Sequence, residues 1–239
     1  MVGVSIDGTS GVGANLDSAR VDLAHVDLKI AGIIPFSATD WPGNLTATAF
    51  VQGCPWRCIY CHNFQLQPFG DGEASFEQLL ELLRSRRGLL DGAVISGGEP
   101  TAQRALGDAI AAIHAEGFPV GLHTCGYQPR RLEELLADPA TRPEWIGIDV
   151  KGLPEDMPAV VGGTLARAEA AWRSLEIVCA AARRSDLEIE VRTTIWPGST
   201  LEAHLDAVTA RVEALGFPLV VHQARGVDQD GYYVDNYGQ

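Results

Sequence analysis

Strand and helix patterns alternate without interruption from Leu45 to His222. Apolar, β-branched runs at residues 45–51, 93–96, 120–124, 145–151, 187–195 and 219–222 read as six strands. Helical periodicity separates them at residues 75–87, 101–116, 129–137, 165–183 and 200–215, and Gly88, Gly117 and Gly216 stop three of these helices. Ser75-Phe-Glu-Gln78 is a capping box opening the first. Strict alternation of this kind predicts right-handed βα units on a parallel sheet. Residues 28–35 read as a short lead-in strand, followed by a turn at Thr39-Asp-Trp-Pro-Gly43.

The faces of the strands choose between an open doubly wound sheet and a barrel. Central strands of a doubly wound sheet are apolar on both faces. Here Ile146, Ile148 and Val150 alternate with Gly147, Asp149 and Lys151; Val120 and Leu122 alternate with Gly121 and His123; Ile189 and Val191 alternate with Glu188, Glu190 and Arg192. Helices must cover the apolar faces, so the polar faces look into a shared interior. The expectation is an α/β fold, a partial (βα)6 parallel barrel with a polar lumen, since the chain is too short for eight full units. Residues 1–26 read as a flexible leader, 27–225 as the barrel domain and 226–239 as a Gly/Asp/Tyr-rich tail.

Barrels of this kind work at the C-terminal ends of their strands. Cys54-Pro-Trp-Arg-Cys58-Ile-Tyr-Cys61-His62 follows the first strand at that end. Three thiolates held together call for a bound cation, as a metal ion or an iron–sulfur cluster. On spacing alone both a cluster and a zinc site with His62 as fourth ligand are open. Gly97-Gly98-Glu99-Pro100 follows the second strand; its glycines permit close backbone approach to a ligand, and Glu99 can accept from an ammonium group. Asp149 and Lys151 end the fourth strand on one face, Arg192 sits on the inward face of the fifth, and His222 ends the sixth. Lys151 and Arg192 together could hold a carboxylate. Cys125 and Cys179 read as small apolar fillers.

The net charge of −13 disfavours binding to phosphate backbones. The one basic cluster, Arg84-Ser-Arg86-Arg87, ends a helix, where cations suit the dipole. Five unevenly spaced cysteines form no disulfide framework and suit a reducing cytoplasm. No apolar run approaches the length of a membrane span, so no membrane partner is expected.

Cys54-x3-Cys58-x2-Cys61, with Tyr60 before the third cysteine, resembles the signature of the radical S-adenosylmethionine (radical SAM) superfamily. Gly97-Gly98-Glu99-Pro100 resembles that superfamily's motif for the methionine amino group. Within it the chain is most similar to glycyl-radical-enzyme activating proteins, and among these to the activating protein of anaerobic ribonucleoside-triphosphate reductase. That similarity rests on Asp40-Trp-Pro-Gly43, Phe50-Val-Gln-Gly-Cys54, Cys61-His62-Asn63, Thr124-Cys-Gly126, Asp149-Val-Lys151, and Val191-Arg192 with Pro197-Gly198.

The resemblance implies a [4Fe-4S] cluster on Cys54, Cys58 and Cys61, with one iron open to S-adenosylmethionine. It implies that Tyr60, His62, Gly97, Gly98, Glu99, Thr124, Asp149, Lys151, Arg192 and His222 surround that ligand, and that Lys151 serves the chemistry with the cysteines. His62 then becomes a loop residue rather than a ligand. The implied reaction is reductive cleavage of SAM to a 5′-deoxyadenosyl radical that takes hydrogen from a glycine of a partner, the large subunit of anaerobic ribonucleotide reductase. A reduced flavodoxin or ferredoxin-type protein would supply the electron. Where formate-lyase activators carry an acidic residue beside a cation, this chain has His123. Two other readings compete: a radical SAM enzyme acting on a small molecule, like the 7-deazaguanine-forming synthases, and a non-catalytic zinc or electron-carrier protein.

Overall fold

The computed structural model describes residues 26–234; the expected leader lies outside the described residues except for Val26. Seven strands form one sheet in sequence order: β1 (Ile30–Ser37), β2 (Thr46–Val51), β3 (Gly92–Gly97), β4 (Val120–Thr124), β5 (Trp145–Asp149), β6 (Glu188–Ile195) and β7 (Leu219–Gln223). The strands β2 to β7 are parallel, as the alternation requires, and are the six expected βα strands. The lead-in strand β1 pairs antiparallel with β2 on the outer edge. Among the described residues no ladder joins β7 to β1, so the barrel is partial and open along that seam.

The helices α1 (Phe76–Ser85), α2 (Leu106–Ala115), α3 (Pro129–Ala137), α5 (Leu165–Ala182) and α7 (Leu205–Glu213) cover the outer face. Phe76, Leu79, Leu80 and Leu83 give α1 its buried stripe, and the Ser75/Gln78 capping box closes its N-terminus. Their core partners are the outward residues of the strands, such as Ala47, Ala49, Ile95, Leu122, Ile146, Ile148 and Val191.

Register places Thr48, Val94, Gly121, Trp145 and Gly147 with His123, Asp149 and Arg192 on the opposite, inner face. The inner face is polar at the C-terminal end, with His123, Asp149 and Arg192. At the other end Trp41, from the turn before β2, stacks on Trp145 at 6.0 Å and packs with Val94 as an apolar floor. Gly121 lies under Trp41, where a Cβ would come within 2.9 Å of the indole.

Three local readings change. The helix expected from residue 101 starts at Leu106, because Glu99 captures the Thr101 amide and hydroxyl and holds Pro100–Ala102 as a 3-10 turn. The helix expected over 200–215 breaks at His204 into α6 (Thr200–Ala203) and α7, and the His204 ring turns to Asp156 at 2.7 Å. The Pro/Gly-rich connection after β5 contains a short helix, α4 (Met157–Val161). No helix among the described residues is long and apolar enough to cross a membrane.

One pair fastens the β4–β5 layer. The Glu144 carboxylate accepts from the Val120 amide (2.7 Å) and from His114 Nε2 (3.1 Å), while His114 Nδ1 donates to the Ala140 carbonyl (2.9 Å). The Glu144 bond raises the His114 pKa against its partial burial. Burial opposes ionisation of Glu144, but the His114 and Val120 bonds outweigh it and lower that pKa. A raised histidine contributes stability that is present below about pH 6.5 and lost as pH rises through its folded pKa. A lowered carboxylate contributes stability present above about pH 4.5 and lost on acidification. The two windows overlap between those values. Glu144 is half exposed, which limits the effect to about 0.5–1 kcal/mol. His114→Gln is therefore expected to lower the thermal midpoint at pH 6 by more than at pH 9; equal losses at both would sink this account.

Candidate functional site

The cysteine loop leaves β2 at the C-terminal rim and is held from three sides. The Gly53 and Cys54 amides donate to Leu66 and Gln67 carbonyls at 2.8 and 3.0 Å. The Arg57 and Ile59 amides donate to the Val161 and Val160 carbonyls of α4 at 2.7 and 3.1 Å. Trp56 is buried under Gly163, whose φ of +88° and closeness to the indole leave no room for a side chain. The third support is the C-terminal segment. After β7 the chain folds back: Val234 donates to Gly226 (2.8 Å), Asp228 to Tyr232 (2.9 Å), and Tyr233 to Ile59 of the loop (2.9 Å). His62 Nε2 donates to the Arg225 carbonyl, and its ring lies 4.9 Å from Tyr233. Gly231 packs flat on Trp196, which in turn packs on Tyr60 at 5.5 Å.

Cys54, Cys58 and Cys61 are free thiols, all part-buried. Burial, helped by the charge of Glu99, pushes the Cys54 thiol up to about 12, and burial raises Cys58 against the pull of Lys151. Thiols in such a place ionise only for a bound metal. Among the described residues no three His, Cys, Asp or Glu side chains converge tightly enough to hold one metal ion. Tetrahedral zinc would draw its sulfurs to about 4 Å from one another. His62 is engaged with Arg225. Three thiols on one loop are the donor set that an iron–sulfur cluster takes.

Beside the thiols stands Lys151, its side chain only 14% exposed. Its Nζ lies 3.8 Å from Asp149 and faces the Tyr60 ring at 5.6 Å. Burial works against its charge, but Tyr60, Asp149 and Cys58 outweigh that and keep it protonated. Arg192 Nε donates to Asp149 at 3.0 Å, and its guanidinium faces Trp145 at 5.9 Å. Burial opposes the Asp149 charge; the Arg192 and Lys151 cations overcome it and lower its pKa. The Tyr60 hydroxyl is buried without a hydrogen-bond partner. An unmatched donor and the Lys151 cation beside Cys58, with Arg192 across Asp149, fit a ligand carrying a carboxylate.

The Gly97-Gly98 turn is pressed onto the cysteine loop. The Gly98 amide donates to Val51 (2.9 Å) and the Glu99 amide to Gly53 (3.0 Å). A Cβ on Gly98 would stand 2.2 Å from the Gly53 carbonyl oxygen. The Glu99 side chain points inward, 1% exposed. Its Oε1 accepts from Thr101 and Thr124, and its Oε2 from the Cys125 amide and thiol. Thr124 is thereby turned to Glu99 and to the Gly126 amide (3.0 Å). Cys125 is no apolar filler: its thiol donates to Glu99 at 2.7 Å, and burial with the Glu99 charge keeps it protonated. Cys179 is buried within α5.

His123 lies deeper, 5.3 Å from Trp145. Its Nε2 donates to the Asp40 carbonyl (2.6 Å) and its Nδ1 accepts from Ser96 (3.2 Å). Burial and Arg192 lower its pKa, so it is neutral. His222 sits at the exposed end of β7, opposite Thr194, and no hydrogen bond or ion pair among the described residues ties it to the other site residues.

Residues 48–209 match the model of the radical SAM superfamily. A protein of Methanocaldococcus jannaschii with the provisional name glycyl-radical enzyme activating enzyme is 29% identical over 188 residues, 77% of this chain and 75% of that one. A pyruvate formate-lyase-activating enzyme of Clostridium pasteurianum is 31% identical over 134 residues, 54% of each chain. The structure of Streptococcus suis SuiB bound to S-adenosylmethionine superposes with a TM-score of 0.55 at 13% identity, over 78% of this chain and 42% of that one; this likeness concerns the fold alone. The superfamily match spans more than half of the sequence, and with it the protein belongs to the radical SAM superfamily, whose enzymes use a [4Fe-4S] cluster and S-adenosylmethionine.

Proposed function

We propose that this protein activates a glycyl-radical enzyme, and that its partner is the large subunit of anaerobic ribonucleotide reductase. The observation that carries the activating role is the match over three quarters of the M. jannaschii relative, whose name is that of such an enzyme. The choice of partner rests on the Asp40-Trp-Pro-Gly43, Cys61-His62-Asn63 and Thr124-Cys-Gly126 motifs. In this reading Cys54, Cys58 and Cys61 hold the cluster, in the reducing cytoplasm that free thiols suit. A bound cluster would pass one electron, received from a reduced flavodoxin or ferredoxin-type protein, to the sulfonium of SAM, whose S–C5′ bond would break to give methionine and a 5′-deoxyadenosyl radical.

The chain's own residues then bind, orient and exclude. Lys151 and Arg192, fixed by Asp149, hold the ligand's carboxylate. Gly97 and Gly98, seated on the Val51 and Gly53 backbone, set the turn whose backbone meets its amino group. Tyr60 and His62 wall the adenine, and His222 closes the far edge near β7. In this reading an extended glycine segment enters along the seam between β7 and β1, where no ladder joins the two strands among the described residues.

The reduced, cluster-loaded protein should be mixed with SAM and either the reductase large subunit or pyruvate formate-lyase, and examined by EPR. A glycyl-radical doublet on the reductase, and none on the lyase, is the expected result. A doublet on the lyase alone would reassign the partner. SAM cleavage with neither doublet, and only upon adding a small substrate, would overturn the activating role.

A further inference from the structure

We infer that Cys125 is a positioning residue for SAM: its thiol, with the Thr124 hydroxyl, holds Glu99 inside the protein and so fixes the Gly97-Gly98 backbone against the cysteine loop. The inference rests on the rim being the SAM site.

The hydrogen bonds carry it. A carboxylate offers about four acceptor positions. Glu99 receives five donors: the Thr101 amide (2.9 Å) and hydroxyl (2.5 Å), the Thr124 hydroxyl (2.6 Å), and the Cys125 amide (2.8 Å) and thiol (2.7 Å). No capacity remains for a ligand ammonium, so the amino group is left to the backbone of the turn. The same residue joins three rim elements. Its amide is bonded to Gly53, one residue before Cys54. Its carboxylate is bonded to the end of β4. Beyond β4 the lock continues, because Gly126, with φ of +70°, accepts from the buried Ser174 hydroxyl of α5 at 2.6 Å. The thiol's donor can be removed by alanine and restored as a hydroxyl by serine, with the backbone bonds left in place.

The test compares Cys125→Ala and Cys125→Ser in cluster-loaded protein. SAM affinity is read from the change SAM makes in the EPR signal of the dithionite-reduced cluster. KM and kcat are read from SAM cleavage with the same reductant. Cys125→Ala is expected to weaken SAM binding and raise KM about tenfold, the usual weight of a buried bond to a charged acceptor. Iron content and kcat stay near the parent values. Cys125→Ser, which keeps a donor, is expected to restore affinity. Unchanged affinity in Cys125→Ala overturns the inference, and so does a serine variant as weak as the alanine one, which would make the effect one of packing. If SAM leaves the EPR signal of the unsubstituted protein unchanged, the site assignment itself has failed, and the two failures are thus told apart.

Discussion

Cys58→Ala is expected to remove the iron–sulfur absorbance and to lower SAM cleavage at least about 100-fold, more than the loss of a supporting residue around a metal site brings. Cys58 is the middle thiol: it feels the charges of both Cys61 and Lys151, and Cys54 feels its own. Without it two thiols remain, too few to hold a four-iron cluster that keeps one iron open. The loop backbone is held independently, by the α4 carbonyls and by Tyr233, so the apoprotein should still fold. Cys179→Ala is the matched control, because that thiol lies within α5; it should lose about 1 kcal/mol of stability and keep its iron. Iron and absorbance measured on both variants check this. A Cys58→Ala protein with full absorbance contradicts the ligand assignment.

Gly98→Ala is expected to have the second largest effect, about a 100-fold loss of SAM affinity together with roughly 1–3 kcal/mol of stability. The added methyl would meet the Gly53 carbonyl oxygen at 2.2 Å and its carbon at 2.7 Å. Both are backbone atoms of the cysteine loop and no rotamer can relieve the contact. Either the turn or the loop must retreat, and a ligand spanning the two loses its fit. Gly32→Ala on β1, where nothing lies within 4 Å of the new methyl, should change neither quantity by more than about 0.5 kcal/mol. Denaturant unfolding and SAM titration of the two variants decide the matter; a Gly98→Ala protein that binds SAM normally would show that the contact does not set the site.

Much of the framework was legible because it depends on local pattern. Alternating side chains identified the strands and their inner faces, so Asp149, Lys151 and Arg192 were expected on one side and stand there. Glycines and the Ser75 capping box marked helix ends. What escaped depends on partners distant in sequence. Glu99 reads as an acceptor for a ligand ammonium until β4 brings Thr124 and Cys125 to it, and the same meeting makes Cys125 polar rather than inert. The helix α4 is five residues long with a proline in its first turn, too short to show a period. The apolar floor needs Trp41 and Trp145, over 100 residues apart in sequence, to stack. His62 could serve zinc on spacing alone, and only the returning segment at Arg225 shows where its ring nitrogen goes.

That returning segment also imposes an order on maturation. Cys54, Cys58 and Cys61 stand in the first third of the sequence, whereas Tyr233, bonded to their loop, and Gly231, packed on Trp196, are synthesised about 170 residues later. During translation the thiols are therefore complete long before their cover exists. Iron and sulfide delivered at that stage meet an unsealed loop. Delivered after release, they meet a loop already held by the Tyr233–Ile59 bond, with Gly231 packed on Trp196 beside it. The order of synthesis thus sets the cysteine loop first and its clasp by the last described segment afterwards.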